Sequence, residues 1–474
     1  MEGLEVSVLK LSEVLIDNTD IRIDSEYFRK EYLLNDIFFK NRLSEKIIKY
    51  ANVSDGDHSK FPDNQAPEIR YLQAKDIKNH FLINENPVYV SKEYFNINKR
   101  SHIFEENVIL SIMGSVGDIA ITPKGYTPSL ANRAIAIIKN IKGINPYYLF
   151  AYLSAKFGQL QIERQKNGGV QVRINLDVLS KVKIPVTTNL FQNAIESIVK
   201  QAHFIQAHSI IEYTKAETFL LQSIGLHDYR PSEEAVNIKS FKESYIISGR
   251  LDSEFYQKKY DKLESQLELF TRKRLGDFIS YPVSSGITPK AGGDDYTDAV
   301  HGIPFIRAVD LKDGEVVTEN FIYIKKEIHK GALKRTQLKK GDVLFSIAGT
   351  VGRCALFDHS FEANINQAVS ILRFDNNIVN KLYLIVFFNS EIGKEFVSKY
   401  SRQGVQTNLT LTEVADLRIP IIDKSKQLAI ANLVQESSRL KKQSEHLLEV
   451  AKKAVEMAIE EGEERAMEWI ETVI

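Results

Sequence analysis

Ser111-Ile112-Met113-Gly114-Ser115-Val116-Gly117 recurs downstream as Ser346-Ile347-Ala348-Gly349-Thr350-Val351-Gly352. The match extends in both directions. Upstream, Arg22-Ile23-Asp24-Ser25-Glu26-Tyr27-Phe28 returns as Arg250-Leu251-Asp252-Ser253-Glu254-Phe255-Tyr256. Gln73-Ala74-Lys75-Asp76 returns as Arg307-Ala308-Val309-Asp310, and Lys99-Arg100-Ser101 as Lys334-Arg335-Thr336. Downstream, Gly169-Val170-Gln171 returns as Gly404-Val405-Gln406, Ile184-Pro185 as Ile419-Pro420, and Gln192 as Gln427. The order is collinear, and the offset drifts only from 228 to about 235. The chain is therefore a tandem duplication of a unit of about 230 residues, too long a period for a solenoid.

Each unit opens with a strand-rich part. Segments such as Asn107-Val108-Ile109-Leu110-Ser111-Ile112 and Ala134-Ile135-Ala136-Ile137-Ile138 are short, apolar and β-branched, bounded by Gly, Pro and Asn. The Gly-x-x-Gly segments, flanked by strands, predict a tight turn rather than a phosphate cradle. A helix is predicted after Asn145-Pro146 and after Asn380-Lys381. Each unit then closes with a long helix. Ile430, Leu433, Ser437, Leu440, Ser444, Leu447, Ala451, Ala454 and Ala458 alternate three and four apart, a heptad seam with small residues for close approach. Ile195, Ile198, Ala202, Ile205, Ser209, Ala216 and Phe219 form the matching seam, interrupted by Glu212. Helices of about 35 residues are roughly 50 Å long at 1.5 Å per residue. The expected partner of each apolar stripe is the other unit's helix.

The 474 residues include 43% hydrophobic and 26% charged side chains, an ordinary globular composition. A single cysteine, Cys354, excludes an internal disulfide and a zinc site built on several cysteines. The N-terminus has no basic and apolar leader pattern, and the longest apolar run, Leu382 to Phe388, is too short to span a bilayer. A cytoplasmic protein is expected. Walker A, HExxH and EF-hand patterns are absent. Pro62-Asp63 with Glu68 and Arg70 is a poor nuclease cluster without a counterpart in the second unit. Asn145-Pro146-Tyr147-Tyr148 lacks the second proline of an amino-methyltransferase box.

Lysines and arginines total 62 and aspartates and glutamates 62, so the net charge is zero. That average hides an asymmetry. Residues 456–474 hold seven acids and one base, leaving about +6 for the remainder. The duplicated basic pairs Lys99-Arg100 and Lys334-Arg335 suit phosphate contact. Lys325, Lys326, Lys330, Lys339 and Lys340 surround the second pair. Side chains suited to reading base edges occupy loop positions where the copies differ. Arg133 faces Gln367, Gln73 faces Arg307, Asp118 faces Arg353, and Arg173 faces Asn408.

With these features in place, the chain resembles the specificity subunit of type I restriction-modification systems, a host-defence family. The resemblance runs over essentially the full length. It rests on the duplicated Gly-x-Val-Gly segment, the Gly-Val-Gln segment leading to Ile-Pro, and the glutamine and long helix that follow. It implies an α+β architecture: two duplicated strand-rich α/β target-recognition domains held apart by two long helices in an antiparallel coiled coil. The expected boundaries are 1–188 for the first recognition domain, 189–226 for the central helix and 227–245 for a linker. Residues 246–423 form the second domain, and 424–474 the C-terminal helix with its acidic tail. The resemblance also implies a non-catalytic subunit that reads one half of a bipartite, asymmetric DNA site with each domain. Its partners are double-stranded DNA, two modification subunits that methylate adenine, and restriction subunits. No cofactor is expected in this chain; S-adenosylmethionine, ATP and Mg belong to the partner subunits. The expected DNA-binding residues are Lys99, Arg100, Arg133, Arg173, Arg307, Lys334, Arg335, Arg353, Gln367 and Asn408. The alternative is a tandem-module RNA or single-strand binder, with Tyr94, Phe95, Phe321 and Tyr323 as stacking platforms.

Overall fold

A computed structural model describes residues 7–15, 18, 21–40, 42–59, 68–167, 172–290, 293–319, 321–374, 379–402 and 407–474. The segments Pro62-Asp63, Gly169-Val170-Gln171 and Gly404-Val405-Gln406 lie outside these. The chain divides into two compact units, residues 1–208 with 439–474, and residues 209–438.

The duplication is visible strand by strand. In the first unit a four-stranded sheet runs Asn52–Asp55, Ile135–Lys139, Val108–Ser111, Ile119–Ile121. The second unit repeats that order as Ser284–Ser285, Val369–Leu372, Asp342–Ser346 and Cys354–Phe357, then adds the hairpin Leu311–Lys312/Glu315–Val316 to make six strands. The equivalent hairpin of the first unit, Ile77–Lys78/Phe81–Leu82, stands as its own two-stranded sheet. Each unit also has a second four-stranded sheet containing one parallel pair, Tyr71 opposite Leu130 in one and Phe305 opposite Asn364 in the other. The central strands Val108–Ser111 and Asp342–Ser346 are buried at every position, which explains their unbroken apolar runs.

The Gly-x-x-Gly segments are turns between strands. Gly114, Gly117, Gly349 and Gly352 all have left-handed φ, between 76° and 104°, where a side chain costs energy. The turn is closed by Gly117 N donating to Ser111 O at 3.0 Å, and by Gly352 N donating to Ser346 O at 2.9 Å.

Behind each sheet lie two short helices, Pro146–Ser154 with Lys156–Arg164, and Lys381–Asn389 with Glu391–Tyr400. Asn145 and Asn380 cap the first of each pair, accepting Tyr147 N at 2.9 Å and Leu382 N at 2.9 Å. The second helix of each pair presses close through a glycine. A Cβ on Gly158 would lie 2.3 Å from Tyr152 O, and one on Gly393 1.8 Å from Phe387 O. The duplicated Arg-x-Asp motif closes this layer. Arg22 and Arg250 each clasp their own aspartate, at 2.7 and 2.5 Å. They also donate to carbonyls at the far end of the second helix: Arg22 to Lys166 O at 2.8 Å, Arg250 to Tyr400 O at 2.9 Å.

The long helices span Asn189–Ser223 and Lys424–Glu460. They pair antiparallel. Within the first unit Thr188, just before one helix, meets Glu463, and Gln206 meets Ser444 at 2.8 Å. Within the second unit the Ser209 and Ser437 hydroxyls each donate to the other's carbonyl oxygen at 2.8 Å. Of the two heptad seams, all positions are buried except Leu433, Leu440 and Phe219, which are half-buried. Glu212, which interrupts the seam between Ser209 and Ala216, is half-buried and pairs with Lys215 at 2.7 Å.

The acidic tail is structured. Gly462, at φ 102°, breaks the helix, and Glu463–Val473 forms another. Ala466 is buried, and Met467, Trp469 and Ile470 pack on the core of the first unit. Glu456 accepts Lys156 N at 2.7 Å. It thereby caps a helix whose own cap residue, Ala155, has no side chain able to do so. In the second repeat the equivalent Ser390 caps its own helix, accepting Gly393 N at 3.0 Å.

Candidate nucleic-acid interface

In each unit one sheet edge gathers the polar loops. Strand Asn52–Asp55 ends at Gly56, whose missing Cβ would lie 2.0 Å from Asn132 O. Strand Ser284–Ser285 ends at Gly286, whose Cβ would lie 1.7 Å from Ile365 O. Only glycine permits these approaches. The next loop is braced identically in the two repeats. The Asn132 side chain accepts Ala134 N at 3.1 Å, and Asn366 accepts Ala368 N at 3.1 Å. Between each asparagine and alanine stands the divergent residue, exposed Arg133 or exposed Gln367. Gly56, Asn132, Gly286 and Asn366 are the frame that sequence reasoning missed. Their signal was a glycine directly after each edge strand and an asparagine directly before each divergent residue.

The basic pairs flank the same edges. Lys99–Ser101 and Lys334–Thr336 are 3₁₀ turns with both cations exposed in each. Arg100 pairs with Asp55 at 2.5 Å, and its carbonyl accepts the Ser54 hydroxyl at 3.2 Å. Lys325, Lys326, Lys330, Lys334, Arg335, Lys339 and Lys340 are all exposed, and Lys340 meets Asp358 at 3.2 Å. The structure thus brings Lys99, Arg100 and Arg133 onto one edge, and Lys334, Arg335 and Gln367 onto the equivalent edge.

The remaining four expected residues lie elsewhere. Arg173 and Asn408 are exposed and bridge to Met113 and Ala348 beside the Gly-x-x-Gly turns. Arg307 is bound to Asp310, its two guanidinium contacts measuring 3.1 and 3.0 Å. Arg353 is half-buried next to Gly352 and reaches Leu311 O at 3.5 Å. Arg272-Lys273-Arg274, another basic run, pairs as a strand with Arg418–Pro420; Arg272 meets Glu264 at 2.7 Å and Arg274 meets Asp416 at 2.5 Å. The aromatics named as stacking platforms are engaged in packing. Tyr94 donates its hydroxyl to Asp57 at 2.5 Å, and Phe95 stacks on His102 at 3.8 Å. Phe321 lies edge-on to Phe361 at 6.1 Å, and half-buried Tyr323 stands opposite Pro304 in a sheet.

Against the backbone of the loop that carries Arg133 the first unit holds a buried polar group, Asp57, whose amide donates to Ala131 O at 2.7 Å. Burial opposes its charge. Hydrogen bonds from Tyr94, Ser59 and Tyr71 outweigh that cost and hold the carboxyl below its ordinary range. Burial pushes the Tyr71 phenol far up, Asp57 adds to the rise, and the Arg133 charge opposes it. Among the described residues no cluster of three or more His, Cys, Asp or Glu could hold a metal, and no helix is long and apolar enough to cross a membrane.

A duplicated α+β domain with divergent polar tips on a shared frame, each copy ending in a long pairing helix, defines a two-module recognition protein. The family described as Type I restriction modification DNA specificity domain matches residues 51–209 and 268–450, and the chain belongs to that family. The Escherichia coli type I restriction enzyme EcoBI specificity subunit is 26% identical over 210 residues, which is 42% of this chain and 43% of that protein. The match therefore spans less than half the length of that relative. Among solved structures, the type I restriction-modification S subunit from M. genitalium aligns over 88% of this chain and 94% of its own, with TM-score 0.40 and 12% identity. The HsdS subunit from Thermoanaerobacter tengcongensis aligns over 89% and 97%, with TM-score 0.29 and 12% identity.

Proposed function

We propose that this chain is the DNA-reading subunit of a cytoplasmic type I restriction-modification complex and carries no catalytic centre of its own. Each repeat reads one half of a bipartite, asymmetric duplex site. The chain docks two adenine-methylating modification subunits and, through the complex, the restriction subunits. S-adenosylmethionine, ATP and Mg act in those partners.

The observation that carries this reading is the pair of glycine-braced loops. One backbone frame, Gly56 on Asn132 and Gly286 on Asn366, presents Arg133 in one repeat and Gln367 in the other. Phosphate contacts position a protein on DNA, and base contacts specify the sequence. The exposed lysine-arginine turns on the same edges supply the first. An arginine fits the acceptors of guanine and a glutamine those of adenine, so a shared frame with different tips reads two different sequences. A net charge of zero fits a reader whose tight binding depends on the basic surfaces of its partners.

The test is to express the chain with its modification subunits in a methylation-free host and map methyladenine. A two-part motif with a fixed gap is expected. Exchanging residues 17–188 for another recognition domain is expected to change one part only. Methylation unaffected by the exchange overturns the function. Preference for single strands over duplex in competition binding would favour the tandem RNA or single-strand binder instead.

A further inference from the structure

Asp57 is 6% exposed, and its carboxylate is held by hydroxyls. Tyr94 donates at 2.5 Å, the Ser59 hydroxyl at 2.7 Å, the Ser59 amide at 3.1 Å and Tyr71 at 3.3 Å. These donors come from helix Lys92–Ile97, strand Ile69–Leu72 and the loop after Gly56. The backbone closes the same knot. Asp57 N donates to Ala131 O at 2.7 Å, and Asn132 N donates to Leu72 O at 2.9 Å. The two residues before Arg133 are thus tied down, Ala131 to Asp57 and Asn132 to the strand that carries Tyr71.

The chemistry of this arrangement suits an arginine kept ready for a ligand. A carboxylate paired directly with a guanidinium would occupy the N–H groups that a base needs. Holding the negative charge with phenol hydroxyls, one of which, Tyr71, feels the Arg133 charge, leaves the fork of donors unused. The second repeat has no carboxylate at the equivalent position. Ile287 follows Gly286 there, and the loop is held instead by Gln367 N donating to the Thr288 hydroxyl at 3.3 Å. The frame is shared, but the support beneath each tip differs with the tip.

We propose that Asp57 is the positioning residue for base recognition by the first repeat, holding the 131–134 loop so that Arg133 meets a guanine in the major groove. This role rests on the DNA-reading function proposed above.

The test uses the full chain with its modification subunits in a methylation-free host, with methyladenine mapped genome-wide. Asp57→Asn keeps the shape and removes the charge. It is expected to lower discrimination at one guanine of one half-site about tenfold, the lower end of what a bidentate contact provides. Arg133→Ala is expected to relax the same position, and the double variant to relax it no further. Tyr94→Phe, which removes one hydroxyl and keeps the packed ring, is expected to relax that position less. It decides the matter alone if Asp57→Asn fails to accumulate as folded protein. Unchanged discrimination, relaxation at other positions or in both halves, or additive effects of Asp57→Asn and Arg133→Ala overturn the role while leaving the DNA-reading function standing. A wild-type complex that yields no two-part motif overturns that function and this role with it.

Discussion

The side-chain carbonyl of Gln192 accepts the backbone amide of Asn145 at 2.8 Å, and Gln427 holds Asn380 in the same way at 2.8 Å. Each glutamine also donates backwards, Gln192 to Thr187 O at 3.1 Å and Gln427 to Ile422 O at 2.9 Å. One buried amide thus fastens the start of each long helix to the capped helix behind the sheet. Gln192→Ala and Gln427→Ala strand buried backbone groups. Each is expected to destabilise its unit by about 1–3 kcal/mol, the cost of an unsatisfied buried polar group. The urea midpoint of each variant checks this.

Gly286→Ala places a methyl group 1.7 Å from Ile365 O, and Gly56→Ala places one 2.0 Å from Asn132 O. Backbone must shift to admit either. The expected loss is about 1–3 kcal/mol, the usual scale of overpacking, accompanied by altered preference in the matching half-site alone. Gly125→Ala, at φ 81° with nothing within 4 Å, is the control. It is expected to reduce stability by about 1–2 kcal/mol and leave recognition unchanged. Thermal unfolding and methylation mapping separate the two effects.

Replacing Lys334 and Arg335 together by alanine is expected to weaken duplex binding for all sequences alike. If both cations neutralise phosphates, the slope of log K against log salt falls by about 0.9 for each. Fluorescence titration across a salt series reads the slope, and an unchanged slope places these side chains off the phosphate backbone.

His80 and His203 give the first unit a pH dependence. Burial lowers His80 to about 4, with Lys452 pushing the same way and Glu449 opposing; burial alone lowers His203 to about 4. In the unfolded chain both titrate near 6.5. Between pH 6.5 and about 4 the unfolded chain therefore binds protons that the folded chain refuses. Their contribution to stability is complete above pH 6.5, declines as the pH falls through that window, and levels off below about 4. His203→Phe removes one of the two groups. The drop in urea midpoint from pH 7 to pH 5 is expected to be smaller in the variant than in the wild type.

Much of the architecture was legible because it was written twice. A collinear repeat exposes structural residues that a single copy would hide, and Gln192, Asn145, Gly117 and Arg22 all carry their twins' roles. The seams were legible because a heptad period survives without knowledge of the partner. The interface was harder. Arg307 and Arg353 looked like free loop cations, yet Asp310 holds one and the other is half-buried against a carbonyl. Residue type announces a charge but not its neighbour three residues away in a turn. The roles of Gly56 and Gly286 were not legible, because a close approach to a distant carbonyl leaves no local pattern. What the tail touches was not legible, because the exposed N–H it caps belongs to a residue three hundred positions earlier, Lys156.

That last contact bears on how the chain is assembled on the ribosome. The core of the first unit takes Leu447, Ala451, Ala454 and Ala466 alongside Ile195 and Ala202, and its helix Lys156–Arg164 waits for Glu456. Residues 209–438 form a contiguous unit with all their own side chains to hand. The half that is translated first is therefore the half that is finished last.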